Sequence, residues 1–267
     1  MSAAGLLIVN ADDWGLDEPT TDAIRACGNA GAVTSVSAMV FMRGSEHAAR
    51  VAGGEALAPG LHINLTEPFT ADAIDAAVRA RQARLAEYFA GARWRRFGFS
   101  ASLFGAIELA ISDQLAEFHR LYAAEPSHID GHEHIHQALG VLAARTLPAT
   151  GRMRPSFTYA AGEKPFINRS LRALLNRLIR VRFAAPRYFF SIRDLHPDLG
   201  GHALEERLAL AAGSAVEVMT HPGWADECAI LLDPSWTELI GQRRLGDYGD
   251  LASSRRRLHS AARRCPR

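Results

Sequence analysis

The chain has 267 residues, of which 48% are hydrophobic, so it is long enough to bury one large core. Its 30 basic and 29 acidic residues give a formal net charge of +1, which provides no overall electrostatic reason to expect nucleic acid or an anionic membrane as a partner. Three widely spaced cysteines without a CxxC pair, and an N-terminus without a basic signal region, predict a reduced, cytoplasmic protein. No apolar run reaches the roughly 18 residues of a membrane span.

Aliphatic runs alternate with helical patterns at the start of the chain. Residues 6–9 predict a strand buried on both faces, and residues 33–41 and 60–65 predict two more strands. Between them, Pro19 suits the first turn of a helix, and residues 45–51 predict another helix. Strands that alternate with helices are typical of parallel βαβ units, so the sequence predicts an α/β fold.

This alternation stops between residues 71 and 124, where Ala, Arg, Glu and Leu predominate and several inserted helices are predicted. A basic and aromatic cluster at residues 93–97 lies inside the insertion. We interpret the cluster as a solvated helix end, and the alternative is a lid or a surface that contacts substrate.

The second half of the chain contains weaker signals. Residues 138–147 predict a helix, and residues 153–155 begin a short strand and loop. Residues 168–183 combine apolar residues at helical spacing with five arginines, which predicts an amphipathic surface helix. Residues 216–220 predict a further strand, and the arginine-rich tail at 253–267 is expected to fray or to lie on the surface.

Four histidines and an aspartate occupy every second position of residues 128–136. Neutral imidazole is the commonest protein metal ligand, and a carboxylate often orients it. An extended backbone would put these side chains on one face, whereas the HxxxH spacing would put two ligands on one face of a helix. Periodicity leaves both open. We favour a strand that ends near Gly131 and a helix from about Ile135. In that arrangement His132 points into the site, and His134 or His136 lies at its margin.

Asp12 and Asp13 directly follow the first predicted strand. Adjacent carboxylates repel each other unless a cation or a proton intervenes, so one can bind metal while the other acts as a base. The alternative is a turn with a helix cap. Taken singly, His62 is more often explained as a hydrogen-bonded core residue than as a ligand, and His221 is a similarly weak signal. Together with His132, however, these residues lie at or near the ends of different predicted parallel strands, where active groups collect.

Four segments resemble the motifs of the YdjC-like carbohydrate deacetylases, in that family's order and spacing. They are LLIVNADDWGL at residues 6–16, GLHINLT at 60–66, HIDGHEHIH at 128–136 and VMTHPG at 218–223. Trp14 stands where the family usually has Phe, and Gly131 stands where it usually has Ser. Neither departure affects a ligand position.

The resemblance implies a seven-stranded (β/α) barrel, similar to the TIM barrel and related to polysaccharide deacetylases. We expect a single domain over residues 1–267, with residues 71–124 as a helical insertion. By motif position, Asp13, His62 and His132 match the family's ligands to one divalent cation, with Mg or Zn expected first.

The implied reaction is the hydrolysis of an N-acetyl group on an amino sugar or oligosaccharide. Asp12 matches the family's catalytic base, and His221 lies where a second proton-transfer group is expected. Asp130 and His134 are expected to orient ligands or contact substrate. Arg154 matches, more loosely, an arginine that follows the histidine motif.

Two other functions stay open at this stage. One is another barrel metal hydrolase, of the amidohydrolase or phosphoesterase type, although these enzymes typically place HxH after the first strand, where this chain has Asp-Asp. The other is a catalytically silent sugar-binding homologue. A chitooligosaccharide, a lipid-linked amino sugar and a small acetylated metabolite all remain candidate substrates. No nucleic acid partner and no membrane span are expected, and a homodimer is left open.

Overall fold

The structure is a computed structural model in which six parallel strands form one curled sheet, a half-barrel with the strand order β4-β3-β2-β1-β6-β5. The residues that it describes are 5–52, 57–91, 95–96, 101–148 and 151–251. The strands are β1 (Leu6–Trp14), β2 (Ser35–Ala38), β3 (Pro59–Ile63), β4 (Ile129–Gly131), β5 (Tyr188–Ser191) and β6 (Ala215–Thr220).

Helices connect and cover the strands, as the alternation in the sequence predicts. Within the described residues the α-helices are α1 (Glu18–Asn29), α2 (Ser45–Ala52), α3 (Ala76–Ala90), α4 (Ala101–Tyr122), α5 (Leu139–Leu142), α6 (Phe166–Arg182), α7 (Ile192–Leu195), α8 (Leu204–Ala209), α9 (Ala225–Leu232) and α10 (Pro234–Gly241). Short 3₁₀ turns cover His132–Gln137, Pro197–Leu199, Leu210–Ala212 and Tyr248–Asp250. None of the described helices is both long and apolar enough to cross a membrane.

The central strand β1 is buried along its whole length, as expected for an aliphatic strand covered on both faces. Its pairing with β6 is regular from Leu6 to Ala11, but its pairing with β2 shifts in register between Ala11 and Trp14. Asp12 and Asp13 lie at this irregularity, and Asp13 has a φ of 70°, in the left-handed region. Irregularities of this kind re-aim side chains at strand ends.

Asp17, and not the Asp12–Asp13 pair, caps the helix that follows β1. The Asp17 carboxylate accepts a hydrogen bond from the backbone N–H of Thr20 at 2.8 Å, and Pro19 occupies the first turn of α1. The interpretation of the Asp pair as a helix cap is therefore wrong, because that position is filled by another side chain.

The described residues form six strands and not the seven that the family resemblance implies. Near the strand predicted at residues 153–155, the chain makes only isolated bridges, of Met153 with Ile129 and of Arg152 with Ala184. Further on, the backbone N–H of Thr158 donates to the carbonyl of Phe189 at 3.0 Å. Residues 152–158 thus contact both edge strands, β4 and β5. The proline at position 155 has no N–H to donate, which prevents a regular ladder.

The insertion at residues 71–124 contains the predicted helices, α3 and α4. Gln114 on α4 joins the insertion to the sheet, because its side-chain amide accepts from the backbone N–H of Asn64 and donates to the Asn64 carbonyl, each at 2.9 Å. Of the basic cluster at 93–97, only residues 95–96 are described, and Arg96 donates to Glu133 at 2.8 Å. The predicted basic tail at 253–267 lies outside the described residues.

Candidate functional site

Asp13, His62 and His132, which we call the donor triad, meet at the carboxyl ends of β1, β3 and β4. One potential ligand atom of each lies within 4.8 Å of those of the other two. Asp13 Oδ1 is 3.5 Å from His62 Nε2 and 3.2 Å from His132 Nδ1. One carboxylate and two imidazoles form a donor set that suits a divalent cation and leaves coordination positions for water and substrate.

The backbone after β4 makes His132 part of the triad. The predicted strand end near Gly131 is correct, and a 3₁₀ turn begins directly at His132. Glu133 and His134 then have φ values of 49° and 59°, so the turn is not a continuous helix. Because the chain changes direction at this point, the alternating histidines do not share one face, and only His132 joins the triad.

Asp130 holds the ring of His62 from behind. Asp130 Oδ1 is 2.8 Å from His62 Nδ1, and the other carboxylate oxygen is 2.7 Å from Ser37 Oγ and 2.8 Å from Arg154 Nη1. Burial by itself would raise the pKa of Asp130, but the charge of Arg154 holds that pKa well below its ordinary value. Since an ionised carboxylate only accepts hydrogen bonds, Nδ1 of His62 carries the proton, and Nε2 is free to bind a cation.

Glu67, which the sequence analysis did not select, lies beside the triad. Its Oε1 is 3.3 Å from Nε2 of His132. Burial would lower the pKa of His132, but the carboxylates of Asp13 and Glu67 raise it to about 9. This concentration of negative charge around two imidazoles also fits a site for a cation.

Asp12 lies beside the triad, with Oδ2 4.0 Å from His62 Nε2, and both of its carboxylate oxygens face Arg154. The two guanidinium nitrogens Nη1 and Nη2 donate to the two carboxylate oxygens of Asp12, each at 2.6 Å, and Asn10 donates to one of them at 2.9 Å. Burial would raise the pKa of Asp12, but Arg154 outweighs it and lowers the pKa to about 2. Asp12 is therefore ionised and held in one orientation.

Arg154 is completely buried and contacts three carboxylates, those of Asp12, Asp130 and Glu217. We call these four residues the arginine cluster. Arg154 Nε donates to Glu217 at 2.7 Å, and the hydroxyl of Tyr248 donates to the other oxygen of Glu217. Burial raises the pKa of Glu217 to about 7. The burial of Arg154 fits a supporting role and not direct contact with substrate.

The signal for Glu217 was present in the sequence. It lies in AVEVMT, where one acidic residue interrupts an otherwise apolar strand that predicts complete burial. A buried carboxylate needs a charged or hydrogen-bonding partner. The sequence at this position therefore predicts that Glu217 contacts a buried partner such as an arginine. Tyr248, far along the chain, gave no comparable signal.

His221 approaches Asp12 from the end of β6. Its Nε2 is 4.0 Å from Asp12 Oδ2, its backbone N–H donates to Glu227 at 2.6 Å, and its ring stacks on Trp224 with 4.4 Å between centroids. Burial would lower the pKa of His221, but Glu227 and Asp12 raise it above its ordinary value. These two carboxylates shift His221 toward its protonated form.

His134 lies apart from the donor triad, against an aromatic wall. The centroid of its ring is 4.7 Å from that of Phe157 in an edge-on contact. Burial holds the pKa of His134 well below its ordinary value, so the ring is neutral. His134 therefore lies beside the site, packed against Phe157, and is not part of the triad.

Comparisons with known proteins agree with the motif resemblance. The sequence profile of the family described as YdjC-like protein matches residues 6–258. A chitooligosaccharide deacetylase of Escherichia fergusonii is 36% identical over 135 residues, 49% of this chain and 50% of that protein, so the matched region is about half of that relative's length. A carbohydrate deacetylase of Mus musculus is 29% identical over 254 residues, 82% of this chain and 78% of that protein.

A solved structure resembles the fold over nearly the whole chain. It is an Enterococcus faecalis protein described provisionally as a cellobiose-phosphate cleavage protein. The two chains superpose with a TM-score of 0.66 at 21% identity, covering 92% of this chain and 98% of the other. At this identity, the likeness concerns the fold alone.

Proposed function

The chain belongs to the YdjC-like protein family, and on that premise we propose that it is a metal-dependent hydrolase that removes an N-acetyl group from an amino sugar or oligosaccharide. The observation that carries the proposal is the donor triad, drawn from three separate strand ends to within 4.8 Å, with Asp12 and His221 beside it. The relatives named as carbohydrate deacetylases support the substrate class.

In the proposed mechanism Asp13, His62 and His132 hold one divalent cation. When bound, such a cation polarises the amide carbonyl and lowers the pKa of a coordinated water. Imidazole suits Zn, and carboxylate suits Mg, so both cations belong in the test. The protein contributes the orientation of His62 through Asp130 and the negative charge of Asp13.

Asp12 accepts the proton of the attacking water. Arg154 fixes both carboxylate oxygens and keeps Asp12 ionised, which is the form that can accept a proton. A carboxylate with a pKa of about 2 is a weak base. It can therefore accept a proton effectively only from a water whose own pKa has been lowered.

His221 supplies the proton that the leaving amine requires. It is shifted toward its protonated form, lies 4.0 Å from Asp12 and is fixed by Glu227 and Trp224. A fixed imidazolium at this place can also stabilise the developing oxyanion.

We further propose that residues 152–158 close the curled sheet into a (β/α) barrel, because they contact both edge strands. A closed barrel would bring the strand ends that carry the donor triad, the arginine cluster and His221 around one mouth. A single domain over residues 1–267 is part of the same proposal.

The test is acetate release from N-acetylated chitooligosaccharides by metal-stripped protein, with one cation added back at a time. We expect release with at least one cation, and a loss of about 10²- to 10⁴-fold in kcat for Asp12→Asn, because the base is removed. Asp17→Asn is the control, since it changes the same residue type at the start of α1, outside the site.

Full turnover in Asp12→Asn would refute Asp12 as the base. No acetate from any sugar with any cation would favour the alternatives. In that case phosphate-ester substrates test the second hydrolase class, and sugar binding without turnover identifies a silent homologue.

A further inference from the structure

Helix α6 exposes an apolar surface to solvent. Of the ten large apolar side chains that are markedly exposed in the described residues, six are on this helix. Five of them, spaced three or four residues apart, line one face and form what we call the outer stripe: Ile167, Leu171, Leu174, Leu178 and Val181, which are 41–81% exposed. Leu175 and Ile179, on another face, are buried against the protein. A contiguous patch of this kind marks an interaction surface.

The charge of α6 differs from that of the whole chain. Its 17 residues include five arginines and no acidic residue, whereas the complete chain has a formal net charge of only +1. Arg180 and Arg182 donate to backbone carbonyls of neighbouring segments, which ties the helix to the protein. Arg177 is exposed beside the outer stripe.

A basic cavity of about 540 Å³ adjoins the C-terminal half of α6. Arg177, Arg180 and Arg187 line it together with Val181 of the outer stripe, and none of the described residues that line it is acidic. Burial and the nearby charge of Arg187 lower the pKa of Arg180. Three guanidinium groups line the cavity with no carboxylate among its described lining residues, an arrangement that suits an anion.

We propose that the outer stripe and this basic cavity dock the protein onto an anionic phospholipid membrane. The apolar side chains would enter the boundary between headgroups and acyl chains, and lipid phosphates would contact the three arginines. The helix would lie in the plane of the membrane surface without crossing it. This proposal goes beyond the deacetylase reaction, since membrane binding requires no turnover.

The charge pattern favours a membrane over a second copy of the chain. In a two-fold dimer the same patch faces itself, so the arginines around one outer stripe would lie near those of the other. No acidic residue on α6 could balance them. An anionic membrane supplies the opposite charge, and long arginine side chains can reach headgroups while their apolar stems stay on the stripe.

Arg172 links α6 to the aromatic residues that lie beside the candidate site. Arg172 on α6 lies over the ring of Phe157 at 5.5 Å, and that ring contacts His134. A docked α6 would therefore lie on the side of the protein that carries Phe157 and His134.

The test is co-sedimentation of the full-length protein with vesicles of phosphatidylcholine alone or of phosphatidylcholine mixed with phosphatidylglycerol. We expect binding to the anionic vesicles that weakens with salt. Replacing Ile167 and Leu178 by Ser should weaken binding about tenfold for each side chain. Replacing Arg177 and Arg187 by Gln should weaken it about fivefold for each charge.

The control removes exposed leucines elsewhere, as Leu109→Ser and Leu232→Ser, which are 55% and 46% exposed in the parent protein. Unchanged binding in this control, with loss in both α6 variants, supports the proposal. No binding to either vesicle, or equal binding to neutral and anionic vesicles, overturns it. A dimer in sedimentation velocity that dissociates in the Ile167→Ser/Leu178→Ser variant also overturns it, in favour of a second copy as the occupant.

Discussion

The donor triad and the arginine cluster both contain buried carboxylates, but their charges are balanced in different ways. In the cluster, Arg154 neutralises Asp12, Asp130 and Glu217 through direct hydrogen bonds. At the strand ends, Asp13 faces two imidazoles and, among the residues that the structure describes, no arginine or lysine. The protein thus supplies its own cation to the inner carboxylates and leaves the outer one available for a metal. The arginine cluster, which is the inner region, holds its carboxylates in fixed orientations, and the donor triad, which is the outer region, holds the proposed metal ligands.

The largest effect is expected when the arginine cluster loses its cation, Arg154. Arg154→Leu leaves three carboxylates buried without a counter-charge, so the free energy of unfolding should fall by about 3–5 kcal/mol in urea denaturation. Arg152→Leu is the control, since Arg152 is only half-buried and donates to the carbonyl of Gly249 at 3.3 Å. Equal losses in both variants would mean that the cluster contributes no special stability.

A change in the donor triad should weaken metal binding without a comparable loss in the free energy of unfolding. His132→Ala removes one donor of the triad, so affinity for Zn or Mg in calorimetric titration should fall by more than about 100-fold. The free energy of unfolding of the metal-free protein should change by less than about 1 kcal/mol. His134→Ala is the matched variant, and it should retain the affinity. Similar metal affinities in the two variants would refute the assignment of the triad.

Asp130 contacts both regions and should show a mixture of the two effects. Asp130→Asn keeps the size of the side chain but removes the charge that fixes the Nδ1 proton of His62. Metal affinity should fall by about 10- to 100-fold, as is usual when the residue behind a ligand histidine is changed. Ser37→Ala, which removes only one hydrogen bond to Asp130, should have a smaller effect. An unchanged affinity in Asp130→Asn would show that the two regions act independently.

The smallest effect concerns pH. The folded-state pKa of Glu217 is raised to about 7 from an ordinary value of 4.5. The folded protein therefore holds this proton more tightly than the unfolded chain, and the stability that it contributes is complete below about pH 4.5 and is lost as pH rises through about 7. Glu217→Gln lacks this dependence. The difference in unfolding free energy between the two proteins should change by more than about 1 kcal/mol between these pH values. A constant difference would contradict the raised pKa.

Much of the candidate site could be predicted because its residues follow strong strand signals. The family resemblance is confirmed, and β1 and β6 occur near their predicted positions because their aliphatic runs are buried on both faces. Trp14, where the family usually has Phe, is buried in the core and disturbs none of the triad. The strand β5 was missed, because its short sequence YFFS has no alternation and adjoins a long amphipathic helix.

Contacts over long sequence distances could not be predicted. The helix expected at residues 138–147 extends only over Leu139–Leu142. The hydrogen bond of Tyr248 to Glu217 joins residues 31 positions apart and has no sequence pattern of its own. The exposure of the apolar face of α6 also required the structure, since a periodic pattern alone predicts that such a face is buried.

The left-handed backbone at Asp13 has a practical consequence for protein engineering. At a φ of 70°, Asp and Asn are among the residues that fit with little strain, whereas β-branched side chains are strongly disfavoured. Asn is therefore the replacement that removes the carboxylate charge while keeping this backbone. If the proposed function holds, Asp13→Asn is the variant with which to capture an intact sugar in the site, since it would separate recognition of the substrate from its conversion.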